Sequence, residues 1–257
     1  MAIKDISMIV LDLDGTVLHS DKTISAYTIK ILEKCRQDGV KIVVATARSE
    51  MAAKYYIEVI NPDVVISNGG SLVRHGEHTI YKCLLSAEIS DKITAELMSK
   101  EEFISISLET ETGYYVTWDE AFSPDYSHAI KYDFAKPLSQ DTYKITVEFS
   151  DEAIIKQVVS KYSKCDMIAF SDENWYRLAN KDSGKMNAIK ATAAYFNINL
   201  SRIASFGDDY NDVEMIKNCG YGVSMKNAVE EVKAVAKYIC DANDNDGVAK
   251  WIAQRML

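Results

Sequence analysis

The sequence predicts an α/β protein, a doubly wound parallel-sheet core interrupted by an inserted α+β domain. Three observations carry this. Short, continuous apolar runs alternate with helical patterns over the first 70 residues, and the same alternation resumes from Ser183. Between these stretches the grammar changes to strands of alternating polarity joined by short turns. Continuous apolar strands belong to a parallel sheet covered on both faces, whereas alternation marks an antiparallel sheet with one face covered. The expected divisions are residues 1–80 for the first part of the core, 81–181 for the insert and 182–257 for the second part of the core.

Taken in order, residues 7–13 form a short apolar run of strand length. In residues 25–37, Ile29, Leu32 and Cys35 recur at helical spacing, and Gly39 stands where a helix would stop. Residues 41–47 (KIVVATA) read as a second buried strand and residues 50–60 as a helix ending before Pro62. DVVIS at 63–67 is a third strand, running into Asn68-Gly69-Gly70. Residues 72–85 resemble a hairpin around Gly76, and 86–100 a helix. Residues 103–110 and 114–118 alternate about a turn at Gly113, an antiparallel signature. An irregular stretch carrying Pro124 and Pro137 precedes a strand at 144–149, a helix at 151–162 and strands at 167–170 and 175–179. From Ser183 the order is helix to Phe196, strand at 203–206, helix to Asn218, strand at 221–225, helix, strand at 238–240 and a last helix.

Composition narrows the function. A formal net charge of −9 argues against a nucleic-acid backbone or an anionic membrane as general partner, while leaving room for a small anionic substrate at a cation-bearing site. The five cysteines are scattered and contain no CxxC pair, which suits free thiols in a reducing compartment. No segment approaches 18 apolar residues, and Asp5 interrupts the N-terminus before a signal core forms. A cytoplasmic protein without a membrane span is expected.

Ligands of open parallel sheets bind outside the carboxyl ends of the strands. The polar residues expected there are Asp12, Asp14, Gly15 and Thr16 after the first strand, Thr46 and Arg48 after the second, and Asn68 after the third. Gly207, Asp208, Asp209, Asn211 and Asp212 follow the strand at 203–206, and Lys185 opens the helix before it. Two carboxylates about 4 Å apart repel by roughly 4 kcal/mol at an effective dielectric near 20. Asp12, Asp14 and Asp208 therefore need a compensating cation. An all-oxygen set with room for water suits Mg²⁺, and a hard cation beside a lysine and hydroxyl donors describes a site for phosphoryl transfer.

The same residues carry a resemblance. DLDGT at Asp12–Thr16, ATAR at Ala45–Arg48, Lys185 within SGKMNAI and FGDDYNDVEM at Phe206–Met215 resemble the four signature motifs of the haloacid-dehalogenase-like superfamily. The insert and the SNGG at Ser67–Gly70 are similar to the Cof-type sugar-phosphatase branch with a large α+β cap on a Rossmann-like core. The likeness runs end to end, with one departure: Ala47 stands where many relatives have glycine. It implies a Mg²⁺-dependent phosphatase of small phosphorylated metabolites, sugar phosphates first. Asp12 would be the nucleophile, forming an aspartyl-phosphate, and Asp14 would protonate the leaving alcohol and then deprotonate water. Asp12, the backbone carbonyl of Asp14 and Asp208 would hold Mg²⁺, with Asp212 supporting the metal or orienting Lys185. Thr46, Lys185 and Asn211 would bind the phosphoryl oxygens. Arg48 would serve as a salt-bridge partner or a substrate contact. His75 and His78 read as exposed hairpin residues, and Tyr114, Tyr115, Trp118 and Trp175 as sheet packing. Phosphomutase or phosphotransferase chemistry would use the same intermediate, and a phosphometabolite sensor would not need Asp14. Oligomeric state has no signature here.

Overall fold

Every residue of Met8–Leu11 (β1) is buried, as a strand flanked on both sides within a sheet requires. The computed structural model describes residues 5–118, 128–170 and 174–257; Pro124 lies outside the described residues. The apolar run ends one residue before Asp12. Leu13–Val17 then form a wide turn that Leu18 closes by donating its amide to the Leu13 carbonyl at 2.8 Å. Helix α1 (Ala26–Gln37) starts at Ser25, whose hydroxyl accepts the Thr28 amide at 3.0 Å. Gly39 at φ +82° ends it. β2 (Lys41–Ala45), α2 (Lys54–Ile60) and β3 (Val64–Ser67) follow. Helix α2 begins later than residue 50 because Ser49 gathers the chain into a turn, accepting the Ala52 amide on its hydroxyl and the Ala53 amide on its carbonyl. β4 (Leu72–His75) pairs antiparallel with β3, and β5 (His78–Lys82) lies beyond it, so this hairpin extends the parallel sheet.

The second part of the chain builds its own sheet. Its elements are α3 (Ala87–Met98), β6 (Phe103–Thr110), β7 (Tyr114–Val116), β8 (Ile130–Lys131), β9 (Thr142–Phe149), α4 (Glu152–Val159), β10 (Cys165–Ala169) and β11 (Trp175–Asn180). The strands run in the order β10-β11-β9-β6-β7-β8. Ile106, Leu108, Ile145, Val147, Phe149 and Leu178 face Ile93, Leu97, Ile155 and Val158 of the two helices in one core. This is the burial that alternation predicts. β8 had no sequence signal: it is two exposed residues long, too short to show a period.

The chain then returns to the first sheet through α5 (Lys185–Tyr195), β12 (Ile203–Gly207), α6 (Val213–Asn218), β13 (Tyr221–Ser224), α7 (Glu230–Val235), β14 (Tyr238–Ile239) and α8 (Gly247–Arg255). The eight strands run β14-β13-β12-β1-β2-β3-β4-β5, all parallel from β14 through β3. β1 thus lies inside the sheet, between strands from opposite ends of the sequence. The described residues form two compact units, one running to Tyr81 and resuming over Gly184–Leu257, the other Lys82–Ser183.

Within the first unit, α6 crosses β13 so closely that a Cβ on Gly222 would sit 1.7 Å from the Ile216 carbonyl oxygen. Backbone cannot yield as a side chain does, so Gly222→Ala should cost at least about 1 kcal/mol, within the usual overpacking range. The check is a lowered urea midpoint at unchanged m-value. An unshifted midpoint would refute the close approach.

Candidate active site

β1 aligns Leu11 with Val44 of β2 and Phe206 of β12, so the residues after these strands emerge along one edge. Asp12 donates its amide to the Phe206 carbonyl at 3.1 Å, and its side chain is buried. The following turn passes directly over Asp208. A Cβ on Gly15, at φ +76°, would lie 2.2 Å from Asp208 Oδ2, so only glycine fits in both conformation and space. Thr16 Oγ1 donates to Asp208 Oδ1 at 2.6 Å.

Lys185, first residue of α5, reaches this edge with its side chain fully buried. Its Nζ donates to Asp12 Oδ1 and to Asp212 Oδ1, each at 2.6 Å. Asp212 Oδ2 accepts the amides of Asp208 and Asp209 at 3.0 and 3.2 Å, and Asp209 caps the Tyr210–Asp212 turn through the Tyr210 amide at 2.8 Å. The carboxylates of Asp12, Asp208 and Asp212 offer oxygens that all lie within 4.8 Å of one another.

Three carboxylates around one ammonium leave negative charge in excess. Burial, then the charges of Asp212 and Asp208, push the Asp12 carboxyl well up against the opposing pull of Lys185. Burial, then Asp212, push Asp208 up to about 7. Burial alone would lower Lys185, but Asp12 and Asp212 outweigh it and hold the ammonium protonated. An oxygen-only donor set with this unmet demand for positive charge fits a hard divalent cation.

Asp14 turns elsewhere. Arg48 grips its carboxylate with Nε to Oδ2 at 2.7 Å and Nη2 to Oδ1 at 2.9 Å, and Lys22 Nζ adds 2.8 Å to Oδ1. Burial opposes ionisation there, yet Arg48 and then Lys22 hold the carboxyl down at about 2. Arg48 is thus an ion-pair partner of Asp14; the role of Lys22, on an unremarkable loop, had no motif to announce it.

Thr46 is buried, and its Oγ1 accepts the Arg48 amide at 3.1 Å. The turn beginning at Asn68 is tied to this strand end: Gly69 donates to the Thr46 carbonyl at 2.9 Å and Asn68 to that of Arg48 at 2.8 Å. Asn211 buries its Oδ1 without a hydrogen-bond partner among the described residues. His78 stacks on Tyr195 of α5, and His75 meets the same ring edge-on.

The second unit carries a charged group that motif reading missed. On the sheet face opposite its helices, Lys144 pairs with Glu109 at 2.9 Å, both buried, and Glu109 Oε2 has no hydrogen-bond partner among the described residues. Arg177, on the same face of β11, is lowered to about 10 by burial and donates to Ser183 Oγ at 2.8 Å. Alternation places Glu109 on one face, but its cross-strand partner depends on a register the sequence does not display.

The family profile described as haloacid dehalogenase-like hydrolase matches residues 9–252. The chain is 24% identical to the 5-amino-6-(5-phospho-D-ribitylamino)uracil phosphatase YitU of Bacillus subtilis, covering 96% of each chain. It is 25% identical to phosphatase YwpJ of the same organism, covering 94% of this chain and 97% of that one. Among solved structures it superposes on BT4131, described as a HAD subclass IIB sugar phosphatase, with a TM-score of 0.86 at 25% identity, covering 96% of this chain and 98% of that one. It also superposes on the phosphatase BT1666 from Bacteroides thetaiotaomicron with a TM-score of 0.83 at 25% identity, covering 97% and 94%.

The crowded carboxylates set a pH dependence. Asp208 rises from 3.8 to about 7 on folding, so between those values the folded state binds the extra proton. Stability from this group is present below the unfolded value and is lost as pH rises toward 7, by at most roughly 4 kcal/mol. In EDTA, raising pH from 4 to 7 should therefore destabilise wild type more than Asp208→Asn. A saturating hard divalent cation should remove the difference. Urea melts of the two proteins across this range decide it, and a wild type that gains more stability than Asp208→Asn with rising pH would contradict the assignment.

Proposed function

The chain belongs to the haloacid dehalogenase-like hydrolases and is a phosphatase, and from that premise we propose that it hydrolyses small phosphorylated metabolites, sugar phosphates first, through an aspartyl-phosphate on Asp12. The observation that carries this is the buried Lys185, forked between Asp12 and Asp212 beside Asp208 at the carboxyl edge of a parallel sheet. That geometry holds one Asp12 oxygen and leaves the other for attack on phosphorus. Support for the substrate class comes from two relatives, one named for a phosphoribityl compound and one described as a sugar phosphatase.

In this reading an Asp12 oxygen forms a bond to phosphorus as the ester oxygen departs with a proton from Asp14. Asp14 then takes a proton from water, which attacks the aspartyl-phosphate, releasing phosphate and restoring the Asp12 carboxylate. While Arg48 and Lys22 clamp it, Asp14 is a carboxylate. Its acid role requires release from that clamp and a proton. Thr46, Lys185 and Asn211 are the proposed donors to the phosphoryl oxygens, through the Thr46 hydroxyl, the Lys185 ammonium and the Asn211 Nδ2 amide. Mg²⁺ is the proposed cofactor: Asp12, the Asp14 carbonyl and Asp208 would hold it, and when bound it would supply positive charge beside the phosphoryl oxygens. Asp212 supports the set through Lys185 and the Asp208 amide.

The insert, residues 81–181, is proposed to select the ester's leaving group. We place the protein in the cytoplasm, in keeping with its free cysteines; among the described residues no helix is long and apolar enough to cross a membrane.

The roles of the two aspartates separate experimentally. Activity on an aryl phosphate should vanish in EDTA and return with Mg²⁺. Asp14→Asn keeps the nucleophile but loses the proton carrier, worth about 10²–10⁴-fold. A nitrophenolate leaves without protonation, so this variant should accumulate phosphate on Asp12, whereas Asp12→Asn accumulates none. Rapid quench with peptide mass spectrometry reads the outcome; phosphate on another residue, or labelling that survives Asp12→Asn, would overturn the mechanism.

A further inference from the structure

The turn that carries Asp14 is braced from the far end of the chain. Asp14 at φ −72°, ψ 123° and Gly15 at φ 76°, ψ −2° have the dihedrals of the two central residues of a type II turn. The peptide between them bears the Asp14 carbonyl. Rotation of that central peptide is the motion a glycine-containing turn resists least, since glycine accepts either sign of φ. The flanks of the turn are fixed: the Asp12 amide is bonded to Phe206, and the Leu18 amide to Leu13.

Two asparagines from separate loops hold the remainder. Asn227, after β13, donates Nδ2 to the Gly15 carbonyl at 2.8 Å. Its Oδ1 accepts the Asn243 amide at 3.1 Å, and the buried Asn243 donates its own Nδ2 to the Leu18 carbonyl at 2.9 Å. Asp244 adds two bonds of 2.7 Å from the amide and hydroxyl of Ser20. The amide of Asn227 is thus held at one end by Asn243 and grips the turn with the other.

We propose that Asn227 is a positioning residue: by fixing the Gly15 carbonyl, with Asn243 as its anchor, it keeps the preceding Asp14 carbonyl aimed at the metal position. This rests on the Mg²⁺ reading above. Partners that orient a ligand without touching the metal are typically worth 10–100-fold in affinity. Because Asn227 is itself exposed, the lower end of that range applies.

The test is equilibrium binding of Mn²⁺ to the intact protein by electron paramagnetic resonance, without substrate. Asn227→Ala should weaken Mn²⁺ about 10-fold. Asn227→Asp should weaken it equally, because it loses the donor to Gly15, yet retain thermal stability, because it keeps the acceptor for Asn243. In turnover assays both should raise the Mg²⁺ concentration needed for half-maximal rate, with kcat at saturating metal unchanged. Should the alanine variant fail to fold, the aspartate variant decides alone. Wild-type affinity in the folded variants would overturn the positioning role and leave the metal reading standing. A wild type that binds no Mn²⁺ would overturn both.

Discussion

The interior position of the Lys185 ammonium is the constraint around which the first unit is arranged. A fully buried cation is tolerable only when paired and hydrogen-bonded, and here two carboxylates supply both conditions. Each partner is then pinned from behind: Asp12 by its place at the end of the central strand, Asp212 by the amides of Asp208 and Asp209. An apolar side chain of similar volume would suit such a cavity at least as well energetically. The charge is retained for the chemistry at the strand end, and the surrounding turns exist to make it affordable.

Two aspartates separated by one leucine consequently live in opposite environments. Burial and like charges drive the Asp12 carboxyl up, while Arg48 and Lys22 drive that of Asp14 down. Environments that push neighbouring titratable groups apart are how one short segment supplies two chemical roles. The divergence arises because Leu13 and Gly15 send the two side chains to different partners, one toward α5 and one toward the end of β2.

Much of this could be read from the residues alone. The parallel strands were visible because both of their faces are buried, which leaves an uninterrupted apolar run such as Met8–Leu11. Strand ends carrying Asp12, Thr46 and Asp208 followed from the rule that such sheets bind ligands at their carboxyl edge. What stayed hidden was pairwise. The hairpin after residue 72 had the right shape, but its alliance with β3 depends on tertiary pairing. Asp14's grip by Lys22, Glu109's by Lys144 and Gly15's by Asn227 are single contacts between residues with no shared motif. Short elements such as β8, and the late start of α2, turn on local hydrogen bonds too brief to leave a period.

The interior location of β1 has a consequence for how the protein is made. One edge of this wholly apolar strand is satisfied early, by β2, but its other partner is β12, Ile203–Gly207. At translation rates of about 5–20 residues per second, roughly 10–40 seconds separate synthesis of the two. Throughout that interval the nascent chain presents an unpaired hydrophobic edge of the kind that templates association with other chains. The insert lengthens the wait, since its roughly hundred residues emerge before the missing strand does. The order of synthesis therefore makes the pairing of β1 with β12 a late step in building this sheet.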